Sequence, residues 1–262
     1  MRSDFAGAKR GNLSLEWAEA FLTVMEAGVD EISPLVVEVT DFHHSTPTEN
    51  PQVRQLLDRQ LAMHDAACCR TVASTIFPES LWNPAAENDA ALLFDRYERI
   101  WPKLHKCHAN RRGHYFRRLT AYSPEGCEHR PINQLEHIIA TYRSGNHRRS
   151  ALQAAVFDPT RDHTNCRQQG FPCLQQVVFT PVSDSGLSVT GFYATQYLFE
   201  RAYGNYLGLC ALGRFMAQQM ELKLVKMVCI ANCAMRGKVK KSDLRQSADK
   251  LRRILAADRE GK

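Results

Sequence analysis

Two neighbouring runs, LQQVVFTPV at 174–182 and LSVTGFYA at 187–194, are dense in β-branched and aromatic residues and are joined by the turn-rich SDSG. Side chains of that kind fit a pleated, half-buried surface, and Ser, Asp and Gly accept the dihedral angles of a reversal. The stretch therefore predicts two connected strands. ALQAAVF at 151–157 and VKMVCIA at 225–231 read as further strands. Before the last of these, Leu198, Leu209, Leu212, Phe215 and Met216 predict one long buried helix over 197–224. The expected class is α+β, a mixed sheet packed with helices.

The first half supplies the remaining helices. SLEWAEAFLTVMEAG at 14–28 sets Leu15, Ala18, Leu22 and Met25 at helical spacing, with Ser14 as the expected N-cap and Gly28 as the stop. A strand, PLVVEVTDF, follows; 50–69 and 86–100 read as the second and third helices, and RGHYFRRLT is short and aromatic. Helix 133–143 has Asn133 as its cap, a stripe of Leu135, Ile138, Ile139 and Tyr142, and Gly145 beyond its end.

The 262 residues, 44% hydrophobic and 24% charged, suffice for one large core, and no repeat, low-complexity tract or long linker divides them. A single domain is expected over residues 1–237, followed by a basic helical extension over 238–262. No apolar run approaches the roughly 20 residues of a membrane span, and none is flanked like a signal peptide. A cytoplasmic protein without membrane contact is expected. Nine cysteines, odd in number and unevenly spaced, are expected to be free thiols. The net charge of +6 suits an anionic ligand.

Cys173 directly follows a proline at the head of a strand. Alone, a strand cysteine reads as a buried thiol. Its surroundings are more particular: a helix, an Arg-Arg pair, a strand ending in FDP, Pro-Cys opening a strand, then GNY within a helix. NQLEHIIATYRSGNHRRSALQAAVFDP, FPCLQQVVF, LSVTGFY and AYGNYLGL, over about 130 to 235, resemble thymidylate synthase. Glu79 in ESLW, Trp101 in RIW and Tyr115 in GHYFRR extend the resemblance upstream.

The resemblance implies a thymidylate-synthase-like fold, a homodimer, and transfer of a one-carbon unit, as methyl or hydroxymethyl, to carbon 5 of a pyrimidine nucleotide. The implied donor is 5,10-methylenetetrahydrofolate. Carbon 5 is a poor nucleophile until a thiolate adds at carbon 6 and turns the ring into an enolate, and Cys173 is the expected thiolate. Cationic or hydrogen-bonding neighbours favour its ionisation. By resemblance, Arg148 and Arg149 cross the dimer interface to hold the nucleotide phosphate, a task suited to the guanidinium fork. Glu79 and Tyr115 move protons, Trp101 belongs to the cofactor site, and the amide of Asn205 matches the adjacent carbonyl and N–H of uracil.

The departures are as specific. Ala194 stands where the family has an arginine that binds phosphate and supports the thiolate, Thr195 replaces a serine, and Tyr197 replaces the aspartate that contacts the pterin. Leu174 and Asn232 replace a histidine and an acid, and Ala234 and Arg236 take the positions of the histidine and tyrosine that grip the sugar. Arg201, Arg214 and Arg236 are cations that can compensate. Three readings stand: a changed pyrimidine substrate, a catalytically degenerate nucleotide-binding or scaffolding protein of the same fold, and ordinary thymidylate synthesis. His105, Cys107 and His108 lack the fourth donor of a tetrahedral zinc site, so no metal is expected. In the basic C-terminal stretch, Leu244, Leu251, Ile254 and Leu255 read as the packing side of a helix, and nucleic acid is not an expected partner.

Overall fold

A computed structural model describes residues 11–111, 113–123, 131–145, 148–165, 170–182 and 185–260. The helices are α1 (Leu13–Met25), α2 (Pro51–Met63), α3 (Cys69–Ile76), α4 (Asp89–Lys106), α5 (Tyr115–Thr120), α6 (Gln134–Arg143), α7 (Pro159–Asp162), α8 (Tyr203–Gln219) and α9 (Lys241–Glu260). One sheet contains β1 (Glu31–Ile32), β2 (Leu35–Val39), β5 (Gln153–Ala155), β6 (Leu174–Val182), β7 (Gly186–Tyr197) and β8 (Lys223–Met235); β3 (Phe42–His43) and β4 (Thr46–Pro47) form a separate ribbon.

α8 is buried nearly all round, as a helix without a polar face must be; Tyr203, Tyr206, Leu209, Leu212, Phe215 and Met216 lie in the core. Its glycines set the approach distances. A Cβ on Gly204 would sit 2.8 Å from the Cys69 carbonyl oxygen, and one on Gly208 2.8 Å from that of Ala73, so α3 lies against bare backbone one helical turn apart. On the other side, a Cβ on Gly191 of β7 would meet Leu209 at 2.7 Å.

The sheet order is β5-β6-β7-β8, with β1 and β2 both pairing along the far edge of β8. All pairs are antiparallel except β7 with β8, which α8 connects as a crossover. Leu187, Val189, Gly191 and Tyr193 point inward from β7, and then Gln196 does; in β8 the inward run reaches Ala231 and then Ala234. The alternation slips by one residue at paired positions of both strands. This leaves Thr195 half-buried beside the head of β6.

The opposite sheet face carries Val36, Ile230, Phe192 and Gln176 in one cross-strand row and Glu38, Val228, Thr190 and Val178 in the next. All are half-exposed or exposed, Val36 at 58%. α9 packs on α1 and α2, with Leu244, Ala248, Leu251 and Leu255 buried in the same core. Among the described residues no helix is long and apolar enough to cross a membrane.

Several expected boundaries move. The helix expected over 50–69 ends at Met63, where Asp65 takes φ +51°, and a new helix starts at Cys69. The third begins at Asp89 and runs through Pro102 to Lys106, because Ile100, Trp101 and Leu104 pack on the core. The single helix expected over 197–224 is the end of β7, a π turn at Leu198–Ala202, and α8. Strand pairing along β8 overrides helical spacing there. The cap of α1 is Asn12, whose Oδ1 accepts from the Ser14 and Leu15 N–H groups, whereas Ser14 is buried with its hydroxyl 2.8 Å from Tyr203 Oη. The strand expected over 151–157 shortens to Gln153–Ala155. Cys127, Cys166, His147 and residues 183–184 lie outside the described residues, and the seven described cysteines are free thiols.

Gly208→Ala should force α8 off the Ala73 carbonyl and Ile76, lowering stability by about 1–3 kcal/mol. Urea denaturation is expected to show a lower midpoint at unchanged slope.

Candidate active site

Cys173 sits half-buried at the head of β6. Its carbonyl accepts from the Ala194 N–H at 2.9 Å and from Gln175 Nε2 at 3.2 Å, and its N–H donates to Tyr115 Oη at 3.4 Å. Thr195 Oγ1 lies 3.7 Å from Sγ. Tyr115, the first residue of α5, packs against Phe171 with tilted rings 5.1 Å apart. Phe171 in turn lies over Gly113, where φ is +142° and a Cβ would be 2.3 Å from the ring, so the RGHY segment requires glycine there. Burial raises the Tyr115 phenol above its ordinary range, the neighbouring Cys173 charge adds to this, and Arg201 opposes it.

Tyr193 completes the cluster and was not among the residues expected at it. It lies opposite Leu174 in the β6–β7 register, and its hydroxyl is buried without a hydrogen-bond partner among the described residues. Burial first, then the negative charges that Cys229, Tyr115, Tyr206 and Cys173 would carry, push this phenol well up. The only sequence signal for it is its place two residues before Thr195 in a strand paired with the Pro-Cys strand. Below it, Gln196 accepts from Tyr206 Oη at 3.2 Å and donates to Cys229 Sγ at 3.5 Å. Burial drives that thiol up to about 12. Cys229 is thus an interior thiol, and Cys173 a half-exposed one.

The other expected site residues are dispersed. Glu79 is exposed and ion-paired with Arg214 of α8, which also donates to Thr46 Oγ1 at 3.2 Å and lies over the Trp82 ring at 5.2 Å. Asn205, in the first turn of α8, is buried, and its amide makes no hydrogen bond to a described residue. Arg148 and Arg149 are exposed just before β5, with neither guanidinium partnered among the described residues. Of the three compensating cations, Arg214 is engaged by Glu79 and Arg236 by the Val239 carbonyl at 2.8 Å, while exposed Arg201 acts on the Tyr115 phenol. The FDP segment is structural. Asp158 caps α7 through the Thr160 N–H at 3.0 Å and, with Asp162, faces the buried Arg118.

Trp101 lies elsewhere, on the wall of a cavity of about 640 Å³ beyond Phe171, with Arg117 over its ring at 5.3 Å and His105 at 5.1 Å. Cys173 does not line this cavity. Among the described residues no three His, Cys, Asp or Glu side chains gather as a metal site. Compared with models of known protein families the chain matches none, and compared with curated proteins it again matches none.

His114 lines the same cavity, its Nδ1 2.9 Å from Tyr97 Oη, and burial lowers its imidazole from 6.5 to about 4. Between those values the unfolded chain binds a proton that the folded chain refuses. Stability from this group should be full above pH 6.5 and fall by up to about 3 kcal/mol as the pH drops to about 4. Urea titrations across that range should show the loss, and His114→Gln should flatten it.

Proposed function

We propose that this protein transfers a one-carbon unit to carbon 5 of a pyrimidine nucleotide through an adduct between Cys173 Sγ and carbon 6, acting as a thymidylate-synthase-like homodimer. One observation carries the reading: the thiol that follows Pro172 stands half-exposed with the Thr195 hydroxyl at 3.7 Å and the Tyr115 phenol held against its own N–H. As the S–C6 bond forms, the C5–C6 π electrons move onto the carbon 4 oxygen. Carbon 5 then bonds the electrophilic one-carbon unit and loses its proton; the bond from that carbon to its donor would break with addition of water, giving hydroxymethyl, or of a hydride that the reduced donor would supply, giving methyl, and the S–C6 bond breaks as the C5–C6 double bond returns and the Cys173 thiolate leaves.

Thr195 Oγ1 donates to the sulfur. Tyr115, kept protonated by burial, is a hydrogen-bond donor to the ring and not a base at neutral pH. Glu79 enters the chemistry only by releasing Arg214. Asn205 offers the base-reading amide, and Arg148 and Arg149, without a partner among the described residues, offer the phosphate fork to a second subunit. The half-exposed apolar rows of the sheet are the face through which two copies pair. Methylenetetrahydrofolate supplies an electrophilic one-carbon unit when bound. The residues fit it only in part: Tyr197 presents a phenol where a pterin's donor edge calls for a carboxylate, and Trp101 is flanked by Arg117 and His105.

Incubation with uracil and cytosine nucleotides, ribo and deoxy, should exchange the carbon 5 hydrogen with solvent, and 5-fluoropyrimidine nucleotides should leave a Cys173 adduct visible by mass spectrometry. Cys173→Ser should abolish both. Nucleotide binding with neither signal would instead establish a second reading, a nucleotide-binding protein without turnover, which the Glu79–Arg214 ion pair favours. The dimer is tested separately. Light scattering at micromolar concentration should give twice the chain mass, and Ile230→Glu with Phe192→Glu should give a monomer; a monomeric unsubstituted protein would remove the shared arginine site.

A further inference from the structure

The cavity beyond Phe171 is built from charges that the Cys173 chemistry does not use. The last turns of α4, α5 with its flanks, and α7 enclose about 640 Å³, the size of a metabolite site. Among the described residues four arginines line it, Arg111, Arg117, Arg118 and Arg161, against one lining carboxylate, that of Asp162. Their existing partners account for only part of this charge. Glu98 takes Arg117, while Asp162 at 3.0 Å and Asp158 at 3.9 Å take Arg118, which is 8% exposed and fixed in the wall. Asp158 lies nearest Arg161 at Nε, 3.6 Å away. Exposed Arg111 has no side-chain partner among the described residues.

Arg111 and Arg161 are both exposed and both line the cavity, and their terminal N–H groups make no hydrogen bond to a described residue. Planar guanidinium forks match the paired oxygens of phosphates and carboxylates. The same array repels cations and gives an uncharged apolar ligand nothing to offset the desolvation of the arginines. His114, buried and neutral, adds a ring but no charge.

We propose that this cavity binds a multiply charged anionic metabolite, a phosphate ester or a polycarboxylate, clamped by Arg111 and Arg161 against the fixed wall of Arg117 and Arg118. The site is separate from the Arg148–Arg149 turn, and the proposal stands whether or not Cys173 is a nucleophile.

Calorimetric titration of the full chain with pyrophosphate and with citrate tests it and distinguishes the two anion chemistries. At least one should bind, more weakly as salt rises. Arg111→Ala and Arg161→Ala should each weaken it tenfold or more, the loss of a charge-assisted contact, while Arg148→Ala with Arg149→Ala should leave it unchanged. Arg111→Ala breaks no ion pair and decides the matter if Arg161→Ala lowers the melting temperature. The proposal is overturned if neither anion binds, if affinity survives loss of both Arg111 and Arg161, or if it disappears with Arg148 and Arg149.

Discussion

The contact between α8 and its two neighbours, the β7–β8 pair on one side and α3 on the other, governs this structure. A helix buried all round loses its hydration everywhere, so its stability depends on close packing over its whole length. Gly191, Gly204 and Gly208 permit that packing at backbone distance. The consequences reach the outer elements through side chains anchored on the helix: Arg214 holds Glu79, and Gln219 Nε2 donates to Asp89 Oδ1 at 2.8 Å at the start of α4. Asp89 also accepts from Trp82 Nε1 at 2.7 Å, so one buried carboxylate ties three segments together.

The same helix separates Cys173 from two buried cysteines. Cys210 lies on α8 itself and Cys229 on the sheet face it covers, and burial raises both thiols. Cys173 immediately precedes β6, beyond the end of that cover and next to the slip in alternation that leaves Thr195 beside the sulfur. Its exposure and its hydroxyl neighbour both follow from where the helix stops shielding the sheet.

Much of this was readable in the sequence because it depends on local pattern. LQQVVFTPV coincides with β6, Asn133 caps α6 through the Glu136 N–H, and Gly145 takes φ +76° beyond its end. What failed was set by pairing or burial across long separations. VKMVCIA shows only the centre of a 13-residue strand, since its ends gain their partners from β1 and β7. Cys173 and Tyr115 were legible as a pair by resemblance, and they meet at 3.4 Å. The burial of Tyr193 and the capture of Glu79 by Arg214 were not legible, because each depends on a residue distant in sequence and carries no motif of its own. The arginine-lined cavity was equally hidden, dispersed over α4, α5 and α7.

The closure of α9 on α1 has a consequence for biosynthesis. β2 finds its partner only when β8 has been made, and the cover of α1 and α2 is completed only when Leu244 to Leu255 have been made. Val37 and Val39 therefore wait for a strand distant in sequence before they gain their final neighbours. Pairing across such separations slows folding and leaves unpaired strands of the kind that chaperones shield.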